Sequence, residues 1–216
     1  MRAIAATERM AAIPQRPTPK DKRRRRRRRA VTVVVFSLAT LALAWFLESR
    51  ATTTILFVRH AETGEAMMAG GDPPLNEIGR ARADLLADFL VDVDVVSSVN
   101  AIYASEFVRT QQTAAPLAKR LNLELEIADH SDVAGFMREV LREHRGEIVL
   151  VVSHSDAIPE LIEELHGKKG VVFGPDDYDD LYIVTSPSFG RVKTLRMPYA
   201  AGWQPLVESS IRSSTG

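Results

Sequence analysis

The sequence predicts an α/β fold, a three-layer α/β/α sandwich on a mostly parallel sheet, preceded by one transmembrane helix. Two patterns carry this. From residue 52 onward, short apolar runs that read as buried strands alternate with amphipathic helical segments, the form of a sheet covered on both faces. Ahead of them stands AVTVVVFSLATLALAWFL, 18 residues without a charge at positions 30–47. As a helix at 1.5 Å per residue this run spans about 27 Å, close to one bilayer core.

Residues 1–29 are rich in Ala, Pro and charge and end in seven consecutive arginines, residues 23–29. Their self-repulsion predicts a disordered basic segment. The formal net charge of zero conceals a division: residues 1–50 hold 13 Lys and Arg against 3 Asp and Glu, and the remainder is acidic by the same margin. An acidic body excludes nonspecific nucleic-acid binding, and the arginine block beside an apolar run points to a membrane surface. Reading that block as a nucleic-acid arm would require the apolar run to be a core element. There is no cysteine, which excludes a disulfide framework, a thiolate nucleophile and a Cys-ligated metal.

The positive-inside rule keeps the arginines in the cytoplasm, so residues 30–47 read as a signal anchor with the body outside the cell membrane, periplasmic where an outer membrane exists. Ala42-Leu43-Ala44 has the small-x-small form of a cleavage site, and removal of the segment is the alternative. A retained anchor would tether the body within about 25 Å of the bilayer, favouring substrates there.

In the body, residues 54–58, 101–104 and 147–152 read as buried strands, with further strands at 123–127, 181–185 and 192–195. Asn76 is a plausible N-cap for a helix whose Ile78, Ala81, Leu85, Leu86, Phe89 and Leu90 recur at helical spacing. More helices are expected at 107–121, 132–144 and 158–165. The folded domain spans 52–200, leaving 201–216 as a tail. The run Asp177-Tyr178-Asp179-Asp180 matches no defined calcium loop and reads as a solvated turn.

Two strands end alike: ILFVRHAET delivers Arg59 and His60, and IVLVVSHSD delivers His154. Open α/β sheets bind ligands at the carboxyl ends of their strands. A neutral imidazole is a competent nucleophile at phosphorus, and an adjacent guanidinium neutralises phosphate oxygens, so an Arg-His pair suits phosphoryl transfer.

With LFVRHAET at 56–63, PLNEIGRARADLLA at 74–87, IYASEFVRTQQTAAPLA at 102–118 and VLVVSHSDAIPELI at 149–162, the body resembles the histidine phosphatase superfamily, which includes cofactor-dependent phosphoglycerate mutases and small bacterial phosphohistidine phosphatases. The resemblance implies that His60 is the nucleophile and that Arg59, Arg109 and His154 complete the phosphate pocket. Glu62 would orient the pocket or contact substrate. Ala61 and Ser153 stand where most members carry glycine, and both are small. The general acid has no clean motif; Asp132 is the first candidate and Asp156 the second. The implied activity is hydrolysis of phosphomonoesters through a phosphohistidine intermediate, with no cofactor and no metal. The substrate is a phosphorylated small molecule or an envelope-associated group. The alternatives are a protein phosphohistidine phosphatase and a catalytically silent phosphate-binding module. The sequence leaves the oligomeric state unknown.

Overall fold

The computed structural model describes residues 19–49, 52–64, 71–92, 98–129, 132–188 and 190–203. Two compact units divide at residue 46, Met1–Phe46 and Leu47–Gly216.

α1 (Pro19–Ser49) is one continuous helix of 31 residues, of which residues 19–46 belong to the first unit. Its apolar side chains, among them Val33, Phe36, Leu41 and Trp45, are exposed. Residues 1–18 of the expected disordered segment lie outside the described residues, but 19–29 are helical, which corrects that expectation for the arginine block. Arginine has high helix propensity, and extending a helix already nucleated on residues 30–47 adds a hydrogen bond for each residue fixed.

The second unit follows the order β1 (Thr52–Arg59), α2 (Glu77–Asp92), β2 (Ala101–Ser105), α3 (Val108–Leu121), β3 (Leu125–Ala128), α4 (Val133–Glu143), β4 (Ile148–Ser153), α5 (Ala157–Glu164), β5 (Asp180–Pro187) and β6 (Lys193–Pro198). Its sheet runs β3-β2-β4-β1-β5-β6. β3, β2, β4 and β1 are mutually parallel, while β5 and β6 are added antiparallel at the β1 side.

Alternation along the strands distributes the core. Ile55, Phe57, Val149 and Val151 face one way, packing with Phe136, Met137 and Val140 of α4 and Ile158, Leu161 and Ile162 of α5. Leu56, Val58, Leu150 and Val152 face the other, against Leu86, Ala87 and Leu90 of α2 and Ala114, Leu117 and Ala118 of α3. Both faces are therefore covered, each fully buried aliphatic side chain contributing roughly 1.5–3 kcal/mol.

This arrangement fixes where a ligand can sit. The neighbours β1 and β4 are followed by helices on opposite faces, α2 and α5, so their carboxyl ends border a topological switch point. At the start of α2, Gly79 lies so close to the Glu62 backbone that a Cβ there would overlap the Glu62 carbonyl oxygen. Asn76 caps the same helix by accepting from the Gly79 N–H at 2.8 Å.

Candidate active site

Register brings the two histidines together. Arg59 pairs with Ser153 in the β1–β4 ladder, and the His60 N–H donates to the Ser153 carbonyl at 2.9 Å. Both strands end on these residues, and the His60 and His154 ring centroids are 5.4 Å apart.

His60 is buried, and its Nδ1 lies 2.8 Å from the Ala61 carbonyl oxygen. A carbonyl oxygen only accepts, so Nδ1 carries the proton and Nε2 presents a bare lone pair. Burial, above all, lowers the imidazole from its ordinary value to about 4. The Ala61 hydrogen bond and the Asp156 charge oppose that shift, while the Arg109 and Arg59 guanidiniums reinforce it. His60 is thus neutral at physiological pH. In the free chain its NMR titration should have a midpoint near pH 4. Activity that depends on neutral His60 is lost as pH falls through 4; a midpoint close to 6.5 would contradict this environment. The unfolded chain takes up the proton first, so stability also falls as pH drops from 6.5 toward 4.

Arg59, buried at the end of β1, donates from NH1 to the carbonyls of Gly174 at 3.0 Å and Pro175 at 3.1 Å. Its guanidinium carbon lies 4.2 Å from the Tyr178 ring centroid, and that ring is 6.2 Å from His60. The connection between α5 and β5 therefore holds Arg59 along the pocket wall. That connection is more than the expected solvated turn: the Asp177 carboxylate accepts from the Gly174 N–H at 2.7 Å, and Asp180 is buried against Arg196.

Arg109, in the first turn of α3, lies with its guanidinium carbon 4.3 Å from the Phe107 ring centroid and NH2 3.5 Å from His154 Nδ1. His154 Nε2 is 2.9 Å from Ser105 Oγ, which is 2.8 Å from Thr110 Oγ1. Arginine can only donate, so Nδ1 is the acceptor and Nε2–H donates to Ser105. Phe107 meets the His154 ring edge-on at 4.9 Å. Thr113 accepts from the Ala61 N–H and donates to the Arg109 carbonyl, joining the end of β1 to α3. The Nε atoms of Arg59 and Arg109 are both buried without a hydrogen-bond partner, donor capacity that an oxyanion would satisfy.

The remaining candidates are placed differently. Glu62 accepts from Arg82 Nε through both oxygens at 2.8 Å, with Arg82 NH2 at 2.6 Å, and Arg82 in turn stacks on Trp203. The arginine that Glu62 orients is thus one the sequence did not suggest. Asp132 is the N-cap of α4, its carboxylate accepting from the Gly135 N–H at 2.8 Å. It lines a cleft with Tyr103, Glu126 and Asp129 whose lining does not include the two histidines, Arg59 or Arg109. Asp156, the second candidate, acts electrostatically on His60 and caps α5. Among the described residues no group of three or more His, Cys, Asp and Glu could hold a metal ion. Residues 65–70, in the connection between β1 and α2, lie outside the described residues, as do residues 130 and 131 ahead of Asp132.

A buried neutral imidazole whose Nδ1 is held by the Ala61 carbonyl, flanked by two guanidiniums at a switch-point crevice, has the chemistry that phosphoryl transfer requires. Residues 55–132 match the histidine phosphatase superfamily (branch 1). A phosphohistidine phosphatase SixA homolog of Haemophilus influenzae is 29% identical over 133 residues, covering 55% of this chain and 80% of the relative. Among solved structures, the protein histidine phosphatase SixA complexed with tungstate shares the fold with a TM-score of 0.56 at 22% identity, covering 68% of this chain and 98% of that one. A mycobacterial glucosyl-3-phosphoglycerate phosphatase in complex with inorganic phosphate has a TM-score of 0.50 at 17% identity, covering 67% and 95%. The chain is thus similar to the histidine phosphatase superfamily over residues 55–132, its relatives lie on the SixA-like branch, and these likenesses support a phosphatase.

Proposed function

We propose that the body hydrolyses phosphomonoesters by in-line transfer of the phosphoryl group to His60, and that α1 anchors it in a membrane. The observation that carries the first part is the bare Nε2 of His60, fixed by the Ala61 carbonyl. Nε2 attacks phosphorus, the N–P bond forms as the bond to the leaving oxygen breaks, and that oxygen takes a proton from Asp156. Water then attacks the phosphohistidine and gives a proton back to the Asp156 carboxylate; the new O–P bond forms as the N–P bond breaks, releasing inorganic phosphate and returning the lone pair to Nε2. Arg59 and Arg109 neutralise the equatorial oxygens, and His154, oriented by Ser105, contacts the same group.

A second reading, hydrolysis of phosphohistidine on a protein, is favoured by the position of the acids: Asp132 and Asp156 both cap helices. An imidazole leaving group demands less of a general acid than an alkoxide does. The full chain in detergent, assayed against p-nitrophenyl phosphate, a phosphoserine peptide and a phosphohistidine-bearing protein, separates the two. Turnover of the phosphoserine peptide supports the monoesterase, and turnover confined to phosphohistidine overturns it in favour of the second reading.

The membrane reading rests on the 25-residue apolar helix Arg23–Leu47 with seven arginines at its start. Translocating seven consecutive guanidiniums is far costlier than translocating dispersed charges, which favours a cytoplasmic N-terminus and an extracytoplasmic body. Protease added to intact spheroplasts should digest a C-terminal tag. A tag protected until lysis would refute the orientation.

A further inference from the structure

Asp72 is an acidic side chain at the pocket that transfer to His60 does not use. It lies in the connection between β1 and α2, with Oδ1 3.1 Å from Arg109 NH1 and Oδ2 accepting from the Val108 N–H at 2.6 Å. Its two oxygens therefore hold two kinds of donor that a phosphoryl group also seeks, a guanidinium and a first-turn amide of α3. Arg109 keeps NH2 toward His154 and an unpartnered, buried Nε. It meets an incoming anion with its NH1 already engaged by a carboxylate.

We propose that Asp72 is a built-in competitor for the phosphate site, a charge that weakens the pocket's hold on phosphate and so limits inhibition by the released product. This rests on the reading of Arg59, His60, Arg109 and His154 as the phosphate pocket. A phosphate bound to Arg109 lies close to the carboxylate bound to the same guanidinium. At roughly 6 Å in partly screened surroundings, their repulsion corresponds to about a tenfold loss of affinity. The opposite role, in which Asp72 only positions Arg109, gives the opposite sign: without its partner the guanidinium wanders and phosphate binds less tightly.

The test is competitive inhibition of the full chain in detergent by inorganic phosphate. Asp72→Asn keeps an oxygen acceptor for the Val108 amide while removing the charge, and Asp72→Ser serves if the first variant does not fold. Asp84→Asn, which breaks the exposed pair with Arg120, is the control. The inhibition constant for phosphate should fall about tenfold in the Asp72 variants, with KM falling in parallel, and stay unchanged in the control. An unchanged or raised inhibition constant overturns the proposal. If instead Arg109→Ala leaves phosphate inhibition of the otherwise native chain intact, the pocket reading itself fails and takes this inference with it.

Discussion

Replacing His60 with alanine is expected to lower turnover by about 10⁴-fold or more while leaving the fold intact. The imidazole is buried at the carboxyl end of β1, beyond the ladder that carries the Ile55, Phe57 and Val58 packing. Its loss therefore removes the proposed nucleophile and not the core. Arg59 keeps its bonds to the Gly174 and Pro175 carbonyls, and His154 keeps Ser105, so phosphate should still bind. Steady-state kinetics and a thermal melt on the same preparation check both halves. Turnover within tenfold of the parent would remove His60 from the chemistry.

The second large effect is expected for Arg59→Lys, a change that preserves charge and discards geometry. The guanidinium satisfies two backbone carbonyls from NH1 and lies face-on to Tyr178. Its other nitrogens remain to meet phosphate oxygens. A lysine ammonium is a point charge without the planar fork and cannot meet carbonyls, ring and phosphate together. We expect kcat/KM to fall about 10²-fold, mostly through kcat, because the missing donors act on charge that spreads in the transition state. A loss confined to KM would mean that Arg59 binds substrate and transition state equally.

Much of this was legible in the sequence because the signals are local. The apolar runs at 54–58 and 147–152 became the adjacent strands β1 and β4, and the pairing of their ends put His60 and His154 together. Strand limits were missed where polar residues pair across the ladder: Thr52 and Thr53 lie opposite Pro187 and Ser186, so β1 starts earlier and β5 ends later than hydropathy indicated. The supporting contacts depend on long-range packing. Tyr178 lies more than a hundred residues from Arg59, and Arg82 finds Glu62 only because Gly79 lets α2 sit on the Glu62 backbone. Ser105 and Thr110 did carry a signal, as hydroxyls flanking the turn into α3, but their hydrogen bonds orient a histidine from another strand. Asp132 was legible as a helix start, and the N-cap is the job its carboxylate performs.

The central claim is that His60 Nε2 accepts the phosphoryl group. It is tested most directly by quenching the full chain in base during turnover of a ³²P-labelled substrate and mapping the label. The account predicts label on His60 that is stable in base, released in mild acid, and absent from His60→Ala. Label on His154 or on an aspartate, or rapid turnover by His60→Ala, would contradict it.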